Sequence, residues 1–145
     1  MSGEENKVIL RREMEEVWNK GNFAVVDELV ASDFVLHDPS QPAEVKGPDG
    51  LKGYVDGFRA AFPDLHITFE DMVAEGDKVA SRITLRGTHK GELAGIPATG
   101  KQVTVSGMSI DCLEGGKFVE TFVVTDVLGL LQQLGVAPMP GQTQR

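Results

Sequence analysis

Lys101-Gln102-Val103-Thr104-Val105-Ser106-Gly107-Met108-Ser109-Ile110-Asp111-Cys112-Leu113 and Lys117-Phe118-Val119-Glu120-Thr121-Phe122-Val123-Val124-Thr125 are two β-type runs hinged on the turn signal Glu114-Gly115-Gly116. Upstream, runs over about Leu65 to Ala74 and Lys78 to Lys90 flank a second such signal, Glu75-Gly76-Asp77. Three or four antiparallel strands follow from this spacing, with a long Gly/Pro-containing loop between the Lys78 and Lys101 runs. Gly87 and Gly107 fall inside strand patterns, where a missing side chain marks a bulge or sharp bend, so the sheet is expected to curve strongly.

Before Pro63 the period is helical. Leu10, Met14, Val17 and Trp18 recur on one side of a segment from about Glu5 to Lys20, and Gly21-Asn22 closes it. Phe23, Val26, Leu29 and Val30 share a face of a shorter helix, and Asp33 to His37 reads as a brief strand. Pro39 and Pro42 mark a turn-rich loop. Pro48 suits the first turn of a third helix, whose stripe is Leu51, Tyr54, Val55, Phe58, Ala61 and Phe62. Helices first and a long antiparallel sheet afterwards make an α+β architecture, with the helices on one face. A curved sheet closed by N-terminal helices forms a cone. Trp18, Phe34, Tyr54, Phe58, Phe62, Phe69, Met108 and Phe122 are its candidate lining.

A chain of 145 residues suits one compact domain, read as 1–138, with a flexible tail over 139–145. A net charge of -8 disfavours nucleic acid and anionic membrane surfaces as partners. The single cysteine, Cys112, excludes an intrachain disulfide and a multi-cysteine zinc site. With no signal-like N-terminus and no apolar run of spanning length, a cytoplasmic location is expected.

Asp126 ends the last strand run and precedes Val127-Leu128-Gly129-Leu130-Leu131-Gln132-Gln133-Leu134-Gly135. At that junction it either caps a helix, and stays ionised, or serves as a base in an apolar pocket with a raised pKa. Alternation puts Glu120, Phe122, Val124 and Asp126 on one side of the strand, so an inward-facing Asp126 would have apolar neighbours. Glu120 lies about 20 Å away along that strand and is not its partner. His89 shares a mainly apolar face with Val79, Ser81, Ile83, Leu85 and Gly87. His37 ends the brief strand, and His66 reads as a surface residue. Three scattered histidines give a metal site little support, and no phosphate-binding loop or nucleophile elbow implies a cofactor. Arg82 and Asp111 would have to converge on a water near Asp126 for epoxide hydrolysis.

Several stretches resemble the SnoaL-like polyketide cyclase family. They are Val17-Trp18-Asn19-Lys20-Gly21-Asn22, Phe34-Val35-Leu36-His37-Asp38-Pro39, Ala60-Ala61-Phe62-Pro63-Asp64, Ala74-Glu75-Gly76-Asp77-Lys78-Val79, and Gly87-Thr88-His89-Lys90-Gly91 with Gly95 to Lys101. Leu128 to Gly135 completes the series in the family's order. The resemblance spans roughly Glu5 to Pro138 and implies the cystatin-like, nuclear-transport-factor-like cone. In those cyclases the base is an aspartate closing the last strand, four residues after a His-Trp pair's tryptophan. Asp126 matches the aspartate, while Thr121 and Phe122 replace His and Trp. The resemblance therefore implies Asp126 as acid/base, assisted by His89 and His37. The expected reaction is cofactor-free proton abstraction from a small hydrophobic carbonyl compound, then aldol-type cyclisation or isomerisation. Non-catalytic binding in the same pocket is the alternative. A homodimer through the outer face of the sheet is expected.

Overall fold

A computed structural model of the chain describes residues 2–138 and residue 141. The helix α1 (Gly3–Glu13) starts at Ser2, whose side chain accepts from Glu5 N while Glu5 reaches back to Ser2 N, a reciprocal capping box. It continues as a π-helical segment, Met14–Asn19, before α2 (Ala24–Leu29). The strand β1 (Val30–His37), a two-residue β2 (Val45–Lys46) and α3 (Gly47–Ala61) follow. Then come β3 (His66–Glu75), β4 (Lys78–Thr88), β5 (Gln102–Glu114), β6 (Lys117–Thr125) and α4 (Val127–Gln133).

One six-stranded sheet results, in the order β2-β1-β6-β5-β4-β3. The expected antiparallel ribbon is β3 to β6. The sequence reading missed β2, too short to show a period, and the parallel pairing of β1 with β6. The N-terminal helices cover the inner face. Leu10, Val17, Val26, Phe34, Leu51 and Val55 form the centre of one core cluster there, and Phe62, Leu65, Ile83, Leu85 and Val105 form a second. Among the described residues no helix is long and apolar enough to cross a membrane. The expected tail over 139–145 lies, apart from Gly141, outside the described residues.

Gly87 and Gly107 do not mark bulges, because the β4–β5 register runs unbroken through Gly87↔Val103 and Ile83↔Gly107. They are sites of close approach instead: a Cβ on Gly87 would sit 2.9 Å from Phe62 Cβ, and one on Gly107 3.0 Å from Thr125 Cγ2. The irregularity that matters is in β6. Leu113 pairs with Phe118 while Cys112 pairs with Glu120, so Val119 is an extra residue. Past this bulge the alternation changes phase, and Thr121 and Val123 turn inward with Phe118.

Candidate active site

That phase change decides which side chains meet the cavity. The inner face and the helices enclose a space of about 70 Å³, lined by apolar side chains including Leu10, Leu36, Leu51 and Ile83. Its polar members are Glu13, Trp18, Tyr54, Ser109, Asp111, Thr121 and Thr125. Asp111 and Glu13 are each only 6% exposed.

Asp111 is held by its own strand and the next. Thr121, directly opposite it, donates to Oδ1 at 2.6 Å. Ser109, two residues back on the same face, donates to Oδ2 at 3.2 Å, and its hydroxyl also meets Ser81 Oγ at 2.9 Å. Burial pushes the Asp111 carboxyl up to about 6, while the bonds from Thr121 and Ser109 pull it down.

Glu13 reaches the cavity from the last turn of α1. Trp18 Nε1 donates to its Oε1 at 3.1 Å. In a regular α-helix, residues five apart are rotated by about 140° and cannot meet this way. The π-helical turn at Met14–Asn19 brings Trp18 over Glu13. Arg59 Nη1 then satisfies the carbonyls of Trp18 and Asn19 at 2.7 and 3.1 Å, and Asn19 clamps both backbone groups of Ile67. Burial, reinforced by the charge of Asp111, pushes Glu13 up to about 8, against the lowering effect of the Trp18 bond.

Tyr54 completes the aromatic wall, edge-on to Trp18 and Phe58 with ring centroids 5.8 and 5.1 Å away. Its hydroxyl donates to Asp38 Oδ2 at 2.6 Å, and Asp38 Oδ1 takes the amide and hydroxyl of Ser40. Burial and this bond to Asp38 raise the phenol's pKa.

The three residues expected to carry the chemistry lie elsewhere, and apart from one another. Asp126 is exposed and caps α4, its Oδ1 accepting from Gly129 N at 2.9 Å. Because of the bulge at Val119, the face it was assigned with Phe122 and Val124 is the outer one. His37 points out of β1, its ring nitrogens 2.8 Å from Glu44 and from Glu120, stacked on Phe122 at 4.5 Å. His89 is on the inner side of the sheet, as alternation on β4 predicts, but is fully buried against Phe62. Its Nδ1 accepts from Thr99 N at 3.2 Å and its Nε2 has no partner among the described residues.

Of the expected lining, Trp18, Phe34, Tyr54 and Phe58 meet the cavity. Phe62 is buried in the second core cluster, and Phe69 packs at its edge. Met108 and Phe122 are 62% and 45% exposed on the outer face. Arg82 also points outward, bonded to Asp71 at 2.8 and 2.9 Å, so it does not converge with Asp111. Glu13 went unnoticed in the sequence, although it sits within the buried stripe Leu10, Met14, Val17, where a carboxylate is costly. Asp111 is likewise in phase with Val103, Val105 and Leu113, a legible signal of an inward acid.

The SnoaL-like polyketide cyclase model matches residues 8–134. An aklanonic acid methyl ester cyclase, DauD of Streptomyces sp. (strain C5), is 29% identical over 136 residues, covering 89% of this chain and 81% of the relative. The structure of TsrD from Streptomyces laurentii superposes with a TM-score of 0.83 at 28% identity, covering 94% of this chain and 99% of the other. A Catenulispora acidiphila protein with a ketosteroid isomerase-like fold shares the fold at 19% identity and a TM-score of 0.76, over 89% and 93% of the two chains. A match over this much of the sequence, on the cone just described, means that the chain belongs to the SnoaL-like polyketide cyclase family.

Proposed function

We propose that the protein catalyses cofactor-free proton transfer on a small enolisable carbonyl compound, leading to aldol-type ring closure, with Asp111 as the acid/base. The observation that carries this reading is the pair of buried carboxyls in one apolar cavity, Glu13 from α1 and Asp111 from β5. Their environments separate their proton affinities, and such separation is how one site supplies both a base and an acid near neutral pH. Asp111, pushed up to about 6, is largely ionised at pH 7 yet basic enough to take a proton. In the step proposed, the Asp111 carboxylate takes the proton α to the carbonyl. The resulting enolate carbon bonds to a second carbonyl carbon of the same molecule, and the new alkoxide takes the proton back from Asp111. Atoms balance without redox.

The cavity volume argues for a small reacting unit. A space of about 70 Å³ has room for the reacting end of a substrate rather than for a large multi-ring molecule. DauD is an aklanonic acid methyl ester cyclase, which supports ring closure as the class of chemistry. Asp126, a helix cap, and His37 and His89, neither of which lines the cavity, take no part in this step.

Binding without catalysis is the second reading, and the capping geometry of Asp126 favours it. A small diketone able to close a six-membered ring separates the two. Catalysis predicts ring closure by the wild type and its loss in Asp111→Asn with binding retained. Binding without closure by the wild type would establish the alternative.

The outer face exposes Val73, Met108, Ile110, Phe122 and Val124. Met108 pairs directly with Val124, and Ile110 with Phe122, so these side chains form a continuous band. A second copy of the chain packed on this band is the proposed homodimer.

A further inference from the structure

We propose that Glu13 donates the hydrogen bond that holds the substrate oxygen as it becomes an enolate. This rests on the proposed proton abstraction and adds the group that stabilises its product.

Among the described residues, no lysine, arginine or histidine lines the cavity. Trp18 N–H is committed to Glu13, the Ser109 and Thr121 hydroxyls to Asp111, and the Tyr54 hydroxyl to Asp38. Thr125 excepted, every neutral donor of the lining already has an acceptor in the protein. Apart from that hydroxyl, an enolate oxygen developing there would meet no free donor unless a carboxyl supplied one, and an unpaired anion in such a wall is prohibitively costly. Glu13 is the carboxyl suited to this. Burial and the adjacent Asp111 charge both favour its neutral form, and a neutral carboxyl has one O–H to donate. Its Oε1 is occupied by Trp18, which orients the group, and its other oxygen has no partner among the described residues. Asp111 and Tyr54 are the other titratable groups of the wall. Asp111, ionised, has no proton to donate and keeps a free lone pair on each oxygen for the α-proton, and Tyr54 is turned to Asp38.

The proton bookkeeping is closed. Asp111 gains the α-proton, the C–H electrons become the enolate, and Glu13 keeps its own proton, sharing it with the enolate oxygen until the new C–C bond forms.

The test uses para-nitrophenol, a planar ring whose ionisable oxygen imitates the enolate, titrated against the intact protein and read by absorbance. Wild type binds it. Glu13→Gln, which still donates through its amide, keeps the affinity within about threefold, while Glu13→Leu weakens it at least about tenfold, the scale of a lost hydrogen bond to a charged group. Thermal unfolding of both variants verifies that they are folded. Equal affinity in folded Glu13→Leu and wild type overturns the proposal, as does an absence of binding to the wild type. The two assignments fail separately. Loss of phenol binding in Glu13→Leu with α-proton exchange surviving in Asp111→Asn would sink the base and leave the donor. Exchange lost in Asp111→Asn with phenol binding unchanged in Glu13→Leu would do the reverse.

Discussion

Thr121 stands directly opposite Asp111 on the neighbouring strand and donates to its Oδ1 at 2.6 Å. A hydroxyl that bonds the ionised carboxylate lowers its pKa, so it opposes the desolvation that raises it. Thr121→Val removes the donor at nearly constant volume. The acid limb of the pH–rate profile, expected near pH 6 from Asp111, should therefore move to higher pH. A profile whose acid limb stays in place, or moves down, would mean that another group titrates in catalysis.

The same buried carboxyls make stability depend on pH. Glu13 is raised from 4.5 to about 8 and Asp111 from 3.8 to about 6 in the folded protein. Between those values the native state binds more protons than the unfolded chain, so stability falls as pH rises through the window. From pH 5 to 8 the Glu13 contribution is on the order of a few kcal/mol. Urea unfolding across this range should show the decline in wild type, and Glu13→Gln should flatten most of it.

At the strand-to-helix junction the prediction concerns stability alone. Asp126→Ala removes the bond to Gly129 N and should cost about 1 kcal/mol, whereas Asp126→Asn, another good cap, should cost a few tenths. Denaturant midpoints of the two variants measure this. Neither should change the turnover number by more than about threefold, since a lost cap acts on helix stability and not on the reacting atoms.

These residues also show where the sequence was readable. The helical stripes, the two turn signals and the β4 alternation placed their elements to within a few residues, Val30 passing from the expected second helix to β1, because one-sided burial imposes those periods over many residues. The site depended on local departures from the periods. One bulge at Val119 reversed the phase of β6, which moved Asp126, Phe122 and Val124 outward and Thr121 and Val123 inward. One π-turn brought Trp18 over Glu13. Neither has a compositional signature in a single sequence. The inward acids were visible in principle, since Glu13 and Asp111 each interrupt an apolar register.

Assembly is tested on the outer face. Met108 and Phe122 are the large exposed side chains of the band formed by β5 and β6. If a second copy covers it, Phe122→Lys and Met108→Lys should each yield monomers in sedimentation velocity experiments, because a buried unpaired lysine is costly at an apolar interface. Sedimentation of the wild type as a monomer at the same concentration would rule the dimer out.

The central claim is that Asp111 takes a proton from carbon inside the cavity. Proton NMR of phenylacetone in deuterated buffer at pH 7 tests it most directly, with α-proton exchange followed against a protein-free control. The account predicts that wild type accelerates exchange, that Asp126→Asn retains the rate within about threefold, and that Asp111→Asn reduces it by about two orders of magnitude or more, the usual share of a general base. Undiminished exchange in a folded Asp111→Asn, or its loss in Asp126→Asn, would contradict the account.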